Sequence, residues 1–162
     1  MSTSVYRQDV IIAPDDPKAP DILTLLAEHL RDMHATSPAE SVHALDPEAL
    51  AQPSVTLWSA RETPGGTLLG VGALKAHNSV MAEIKSMRTV PAARGRGVAS
   101  ALLGTIIREC RSRGVRELNL ETGTDDYFAA ARALYRKHGF TPRGPFAGYR
   151  EDPNSAYFVL AL

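Results

Sequence analysis

Residues 90–104 read VPAARGRGVASALLG, with Gly95 and Gly97 interleaved with Arg94 and Arg96 between a proline and an apolar run. The segment behind this turn, VMAEIKSMRTV (80–90), reads as a strand. Ahead of it Val98, Leu102, Ile106 and Cys110 recur every four residues, with Ala99, Leu103 and Ile107 alongside. That is the apolar stripe of a helix, running from Gly97 to a natural C-cap at Gly114. A strand, a glycine-rich turn and a helix start together make an anion site. The first amides of a helix have no internal partners, and the helix dipole adds partial positive charge. Glycines let the backbone approach a phosphate, and Arg94 and Arg96 add charge-assisted bonds to its oxygens.

Working outward, VYRQDVII (5–12) reads as a strand, and ILTLLAEHLRDMHA (22–35) as a helix with Asp21 as N-cap. Residues 36–50 are polar and broken by Pro38 and Pro47, which predicts a loop with short helical turns. Strands are expected over 54–62, 67–77 and 80–90, the first two joined by a Thr-Pro-Gly-Gly turn in which Gly65 and Gly66 can take positive φ. These three make an antiparallel meander. After the helix come a strand (115–121), a second long helix (125–139), a loop or short strand (141–154) and a final strand (155–162). The order β-α-α-β-β-β-α-β-α-β, with one more short strand allowed before the last, gives an α/β (α+β) fold with a mixed sheet.

The bounds agree with one domain over residues 1–162. Apolar residues make up 44%, and 18 basic residues balance 18 acidic ones. A neutral chain has no global pull toward nucleic acid or a membrane surface. No apolar run approaches the roughly 20 residues needed to span a bilayer, and the N-terminus lacks a signal-peptide layout. Cys110 is the single cysteine, so no intrachain disulfide forms, as suits the cytoplasm. It falls on the helix stripe and reads as packing. No cluster of His, Cys and carboxylates has metal-ligand spacing.

Three phosphate ligands compete for the turn. A P-loop needs Gly-Lys-Ser/Thr, which is absent. A nicotinamide dinucleotide fits Gly95-x-Gly97-x-x-Ser100 in part, with Glu121 near the place of a ribose-binding acid. Against it, the preceding strand belongs to a meander and only one further strand–helix unit follows. The third is coenzyme A. Arg94-x-x-Gly97-x-Ala99 resembles the pyrophosphate signature R/Q-x-x-G-x-G/A of the GNAT acetyltransferase superfamily, and ARALYRKHGF (131–140) is similar to its A-x-x-L-Y-x-K-x-G-F helix. The resemblance covers residues 54–162 by motif and the N-terminal third by element order.

The resemblance implies a mainly antiparallel sheet with helices on both faces, and an enzyme that passes an acetyl group from acetyl-CoA directly to an amine in a ternary complex. It places the cofactor on the backbone of Met87, Arg88, Thr89 and Val90, where the strand splays from its partner. The pyrophosphate falls on Arg94, Gly95, Arg96, Gly97, Val98, Ala99 and Ser100. Phe128 stands where many relatives carry Asn, a departure that removes one side-chain contact to the pantetheine arm. Tyr135 of the Leu-Tyr pair is the expected acid for the departing sulfur. Glu83, a carboxylate inside a strand, is costly there unless paired or functional, and is the expected base. The segment bracketed by His34 and His43, which contains Ser41, occupies the acceptor-loop position, and Tyr149 belongs to the opposite wall. Arg88, Arg143 and Arg150 would suit an acceptor carboxylate. Glu40, Asp46, Glu151 and Asp152 would suit a polyamine. The expected partner is a small-molecule amine, and exposed sheet edges admit a homodimer. A non-catalytic CoA-binding module is the alternative from another class.

Overall fold

The computed structural model describes residues 10–162. Residues 5–9 of the expected first strand lie outside the described residues; Ile11–Pro14 forms β1. Helix α1 (Pro20–Thr36) begins one residue before the expected Asp21 cap, because Pro20 supplies a helical φ at the first position. Ala19 is the N-cap, and Asp21 instead pairs with Arg61 of the next strand at 2.5 Å. The broken stretch that follows holds a 3₁₀ turn (Ala39–Ser41) and the one-turn helix α2 (Pro47–Leu50), capped by Asp46. Strands β2 (Val55–Arg61), β3 (Leu68–Ala76) and β4 (Met81–Thr89) form the meander. Of the two turn glycines only Gly65 has positive φ. Helix α3 (Val98–Arg113) then ends on left-handed Gly114. Strand β5 (Glu117–Gly123), a 3₁₀ turn (Asp126–Phe128), helix α4 (Ala129–Lys137), a three-residue strand β6 (Thr141–Arg143) and β7 (Ser155–Ala161) complete the chain.

The sheet order is β1-β2-β3-β4-β5-β7-β6, antiparallel except for the β4–β5 pair. Period-two alternation separates two cores. On one face Leu57, Leu68, Val71 and Ala73 pack against Ile22, Leu25 and Leu26 of α1 and Leu50 of α2. On the other, Trp58, Ala60, Leu69, Leu74, Leu118 and Leu120 pack against the α3 stripe, with Cys110 buried in it as expected.

Two irregularities in β4 shape the centre of the molecule. Opposite Gly72 the register slips, since Val71 faces Arg88 while Ala73 faces Lys85, so β4 carries one extra residue. Ser86 takes left-handed φ (+55°) at this bulge. A Cβ on Gly72 would lie 2.5 Å from the Met87 sulfur, so the glycine makes room for that side chain. Second, β4 pairs with β5 only from Met81 to Ile84, although both strands continue. Beyond Ile84 and Leu120 the two strands part and a cleft opens between them.

Candidate functional site

The glycine–arginine turn lies between the end of β4 and the start of α3. Gly95 and Gly97 both have left-handed φ (+77° and +79°), which an L side chain would strain. Gly97 caps α3, and the first intrahelical bond runs from the Ala101 amide to the Gly97 carbonyl, 3.0 Å. The amides from Val98 to Ser100 therefore have no acceptor inside the helix. Arg94 and Arg96 flank Gly95. Deeper in, the Val90 amide is bonded to Leu69 of β3 at 2.8 Å, so this expected cofactor contact is already used. By alternation the Thr89 amide faces the other way, into the gap left by β5.

The cleft encloses a cavity of about 90 Å³. Ser86 and Met87 of β4, Glu121 and Thr122 of β5, Phe128, Ala131 and Tyr135 around α4, and His29 and Met33 of α1 line it. Phe128 fits against Gly123, where an added Cβ would sit 2.2 Å from its ring. Tyr135 is buried, and that burial pushes its hydroxyl pKa upward, with the Glu121 charge adding to the effect. Two polar atoms, His29 Nδ1 and Ser86 Oγ, are shut off from solvent without a hydrogen-bond partner among the described residues. Buried polar atoms without partners are uncommon, and here they face a cleft sized for a ligand arm. Turn, amides and cleft thus fit a pantetheine-linked pyrophosphate.

A second, open cavity of about 560 Å³ lies beyond the first. Here the two segments expected to form the acceptor walls meet. The Ser41 hydroxyl donates to Asp152 at 2.6 Å, and the His43 ring meets the edge of Tyr149 at 5.0 Å. Lys85 donates to the His43 carbonyl (2.9 Å) and the Tyr149 hydroxyl (2.8 Å), and pairs with Glu83 at 3.3 Å. Tyr149 in turn donates to Glu83, which also takes His77 Nε2 at 2.8 Å. His43, Ala44 and Lys85 line both cavities and form their common wall.

Several expected residues stand elsewhere. His34 lines neither cavity, and Ser41 acts only through Asp152. The Arg88 guanidinium does not reach the acceptor cavity. It is buried, donating to Asp32 and Tyr127 at 2.7 Å each, and ties α1 to the turn before α4. Arg143 is held by Glu117 and Asn119, and Asp46 is spent on its cap. Of the expected charged acceptor contacts, Arg150, Glu40, Glu151 and Asp152 line the open cavity. Two groups were missed. His29 sits inside a helix with no motif around it. Glu121 had been weighed only for a ribose, and its place on the cleft depends on where β4 and β5 part, which no local pattern encodes.

Known proteins share this fold. The model of the acetyltransferase (GNAT) family matches residues 21–140. The chain is 46% identical to YedL of Escherichia coli K12, an N-acetyltransferase of uncharacterised role, over 93% of this chain and 94% of that one. It is 39% identical to the IAA acetyltransferase of Azospirillum brasilense, covering 95% and 99%. A solved Klebsiella pneumoniae structure described as an acyl-CoA N-acyltransferase superposes with a TM-score of 0.78 at 26% identity, covering 96% and 99%. The chain belongs to the GNAT acetyltransferase family and is an acetyl-CoA-dependent N-acetyltransferase.

Proposed function

We propose that the protein acetylates the primary amine of a small-molecule acceptor, received in the open cavity while acetyl-CoA lies along the Gly95–Ser100 turn and the cleft. The observation that carries this reading is that His43, Ala44 and Lys85 line both cavities, so the two adjoin. Two substrates held in adjoining cavities can meet there in line, as direct transfer requires. A volume near 560 Å³ is within the roughly 300–1,000 Å³ usual for small-ligand sites. Lys75 and Arg150 share its lining with Glu40 and Glu151, which suits an amine bearing a second polar group. In this reading the amides of Gly95 and of Gly97 to Ser100, with the Arg94 and Arg96 side chains, hold the pyrophosphate, while the Arg96 amide is bonded to the Ala93 carbonyl. The backbone of Met87–Thr89 binds the arm, and Met87 and Phe128 give it an apolar wall. Tyr135 donates its proton to the departing sulfur, the chemistry a high-pKa phenol suits.

Incubating the protein with acetyl-CoA and a panel of small primary amines tests this, with free-thiol release as the rate and mass spectrometry of the product as identity. At least one amine should be acetylated faster than acetyl-CoA is hydrolysed. Thiol release that no amine raises above that background would overturn the acceptor reading.

A further inference from the structure

Given an amine delivered from the open cavity, as read above, something must take its proton. The sequence favours Glu83, a carboxylate inside the strand that leads into the turn. In the fold both Glu83 oxygens are engaged: one takes His77, the other Tyr149 and Lys85, and the side chain is 3% exposed. It lines the open cavity only, on the far side of the common wall from Tyr135. Glu121 differs on each count. It is the first residue of β5 beyond the last β4 partner, Ile84↔Leu120, and so stands where the strands part. It lines the same small cavity as Tyr135. Among the described residues its only hydrogen bond is a 3.2 Å contact from Ser155 to one oxygen.

We propose that Glu121 accepts the proton of the acceptor ammonium, directly or through one water, and that Glu83 positions Tyr149 and Lys85 in the acceptor wall. The ammonium gives one proton to the Glu121 carboxylate. The freed nitrogen bonds to the thioester carbonyl carbon, the carbon–sulfur bond breaks, and its electron pair stays on sulfur, which takes the Tyr135 proton. The second nitrogen proton returns through solvent to Tyr135, and Glu121 releases its own to bulk water. One proton is released for each amide formed.

The surroundings of Glu121 favour the role. Burial pushes its carboxyl up to about 7; the Ser155 bond and the Lys85 charge on β4 oppose this, and Glu83 and Asp152 add to it. Tyr135 faces it from α4. The other bases lining the cavity are weaker. Burial and the Arg88 cation hold His29 down to about 4, against the opposing pull of Asp32, and burial and Lys85 lower His43.

The test joins an ionisation readout to kinetics. In wild-type protein labelled with ¹³C at glutamate carboxyls, one resonance should titrate near 7, and Glu121→Gln should abolish it. With a substrate amine, kcat/KM of wild type should rise through that pH. Glu121→Gln should lower it roughly ten- to a hundredfold at pH 7 and remove that limb. Glu121→Asp should retain the limb at an intermediate rate. Glu83→Gln should raise KM and leave the limb in place. Acetyl-CoA affinity by calorimetry should change little in Glu121→Gln, and the variant should be no less stable than wild type at pH 7, which separates proton transfer from loss of folding. A Glu121→Gln enzyme with the wild-type rate and limb, or no carboxyl titrating near 7, would overturn the assignment. A wild-type enzyme silent toward every amine overturns the acceptor reading instead, and the carboxyl titration still decides the state of Glu121.

Discussion

Tyr135 and Glu121 line one small cavity, and burial raises the pKa of both, so each favours its protonated form more than it would in water. They therefore suit opposite tasks: the phenol holds its proton until sulfur becomes a strong base, and the carboxylate takes one near neutrality. Tyr135→Phe removes only a hydroxyl from a ring already packed against Phe140. Acetyl-CoA affinity should stay nearly unchanged while kcat falls, because the hydroxyl acts as charge builds on sulfur. Steady-state kinetics beside calorimetry measures both, and a kcat within about twofold of wild type would leave Tyr135 a packing residue. Phe128 offers a complementary check. Gly123→Ala would place a methyl inside the Phe128 ring position, so the ring must move into the cleft. Acetyl-CoA should bind that variant more weakly, while Gly148→Ala, with open space at its Cβ, should not change binding.

At the scale of elements, the proposed anion site falls at the junction of β4, the Gly95–Gly97 turn and α3. The arginines supply net charge and the helix supplies oriented amides. Arg94→Ala combined with Arg96→Ala should weaken acetyl-CoA binding at least about tenfold, some 1.4 kcal/mol. The loss should shrink as salt rises, because exposed charges are screened. Calorimetry at two salt concentrations reads both effects, and unchanged affinity would move the phosphate site elsewhere. Gly97→Ala should cost about 1 kcal/mol of folding stability from its left-handed φ, read by chemical denaturation, besides weakening the cofactor.

For the whole molecule, the cleft sets a pH dependence of stability. His29 is lowered from 6.5 to about 4 in the fold. Between those values the unfolded chain holds the extra proton, so its contribution is full above 6.5 and lost as pH falls toward 4. Glu121 is raised from 4.5 to about 7. In that window the folded chain holds the extra proton, so stability is lost as pH rises. Each displacement is worth roughly 3 kcal/mol, and the two oppose each other between about 4.5 and 6.5. Wild-type stability should be nearly flat there. His29→Asn should make the protein more stable at pH 5 than at 7, and Glu121→Gln should make it less stable at pH 5 than at 7. Denaturant titrations across this range check the signs, and parallel profiles for the two variants would contradict the opposed burial of these groups.

The sequence alone determined the local parts. The α3 stripe, the meander, the glycine–arginine turn and the Leu134–Tyr135 helix motif each depend on spacing within a short window, where periodicity and turn chemistry act directly. Loop contacts were legible only as composition. Ser41, His43 and Tyr149 looked like two polar walls, and it took the fold to bring Asp152 onto Ser41 and Lys85 onto His43 and Tyr149. The choice between carboxylates was decided by tertiary structure alone. Glu83 and Glu121 are both glutamates within β-strands, and their neighbours in sequence do not rank one above the other. They differ because β4 and β5 stop pairing at Ile84 and Leu120, which leaves Glu83 within the paired region beneath three partners and Glu121 at the open end with one. Where two strands part is fixed by the bulge at Ser86 and by the packing of both cores, energies that no stretch of neighbouring residues contains.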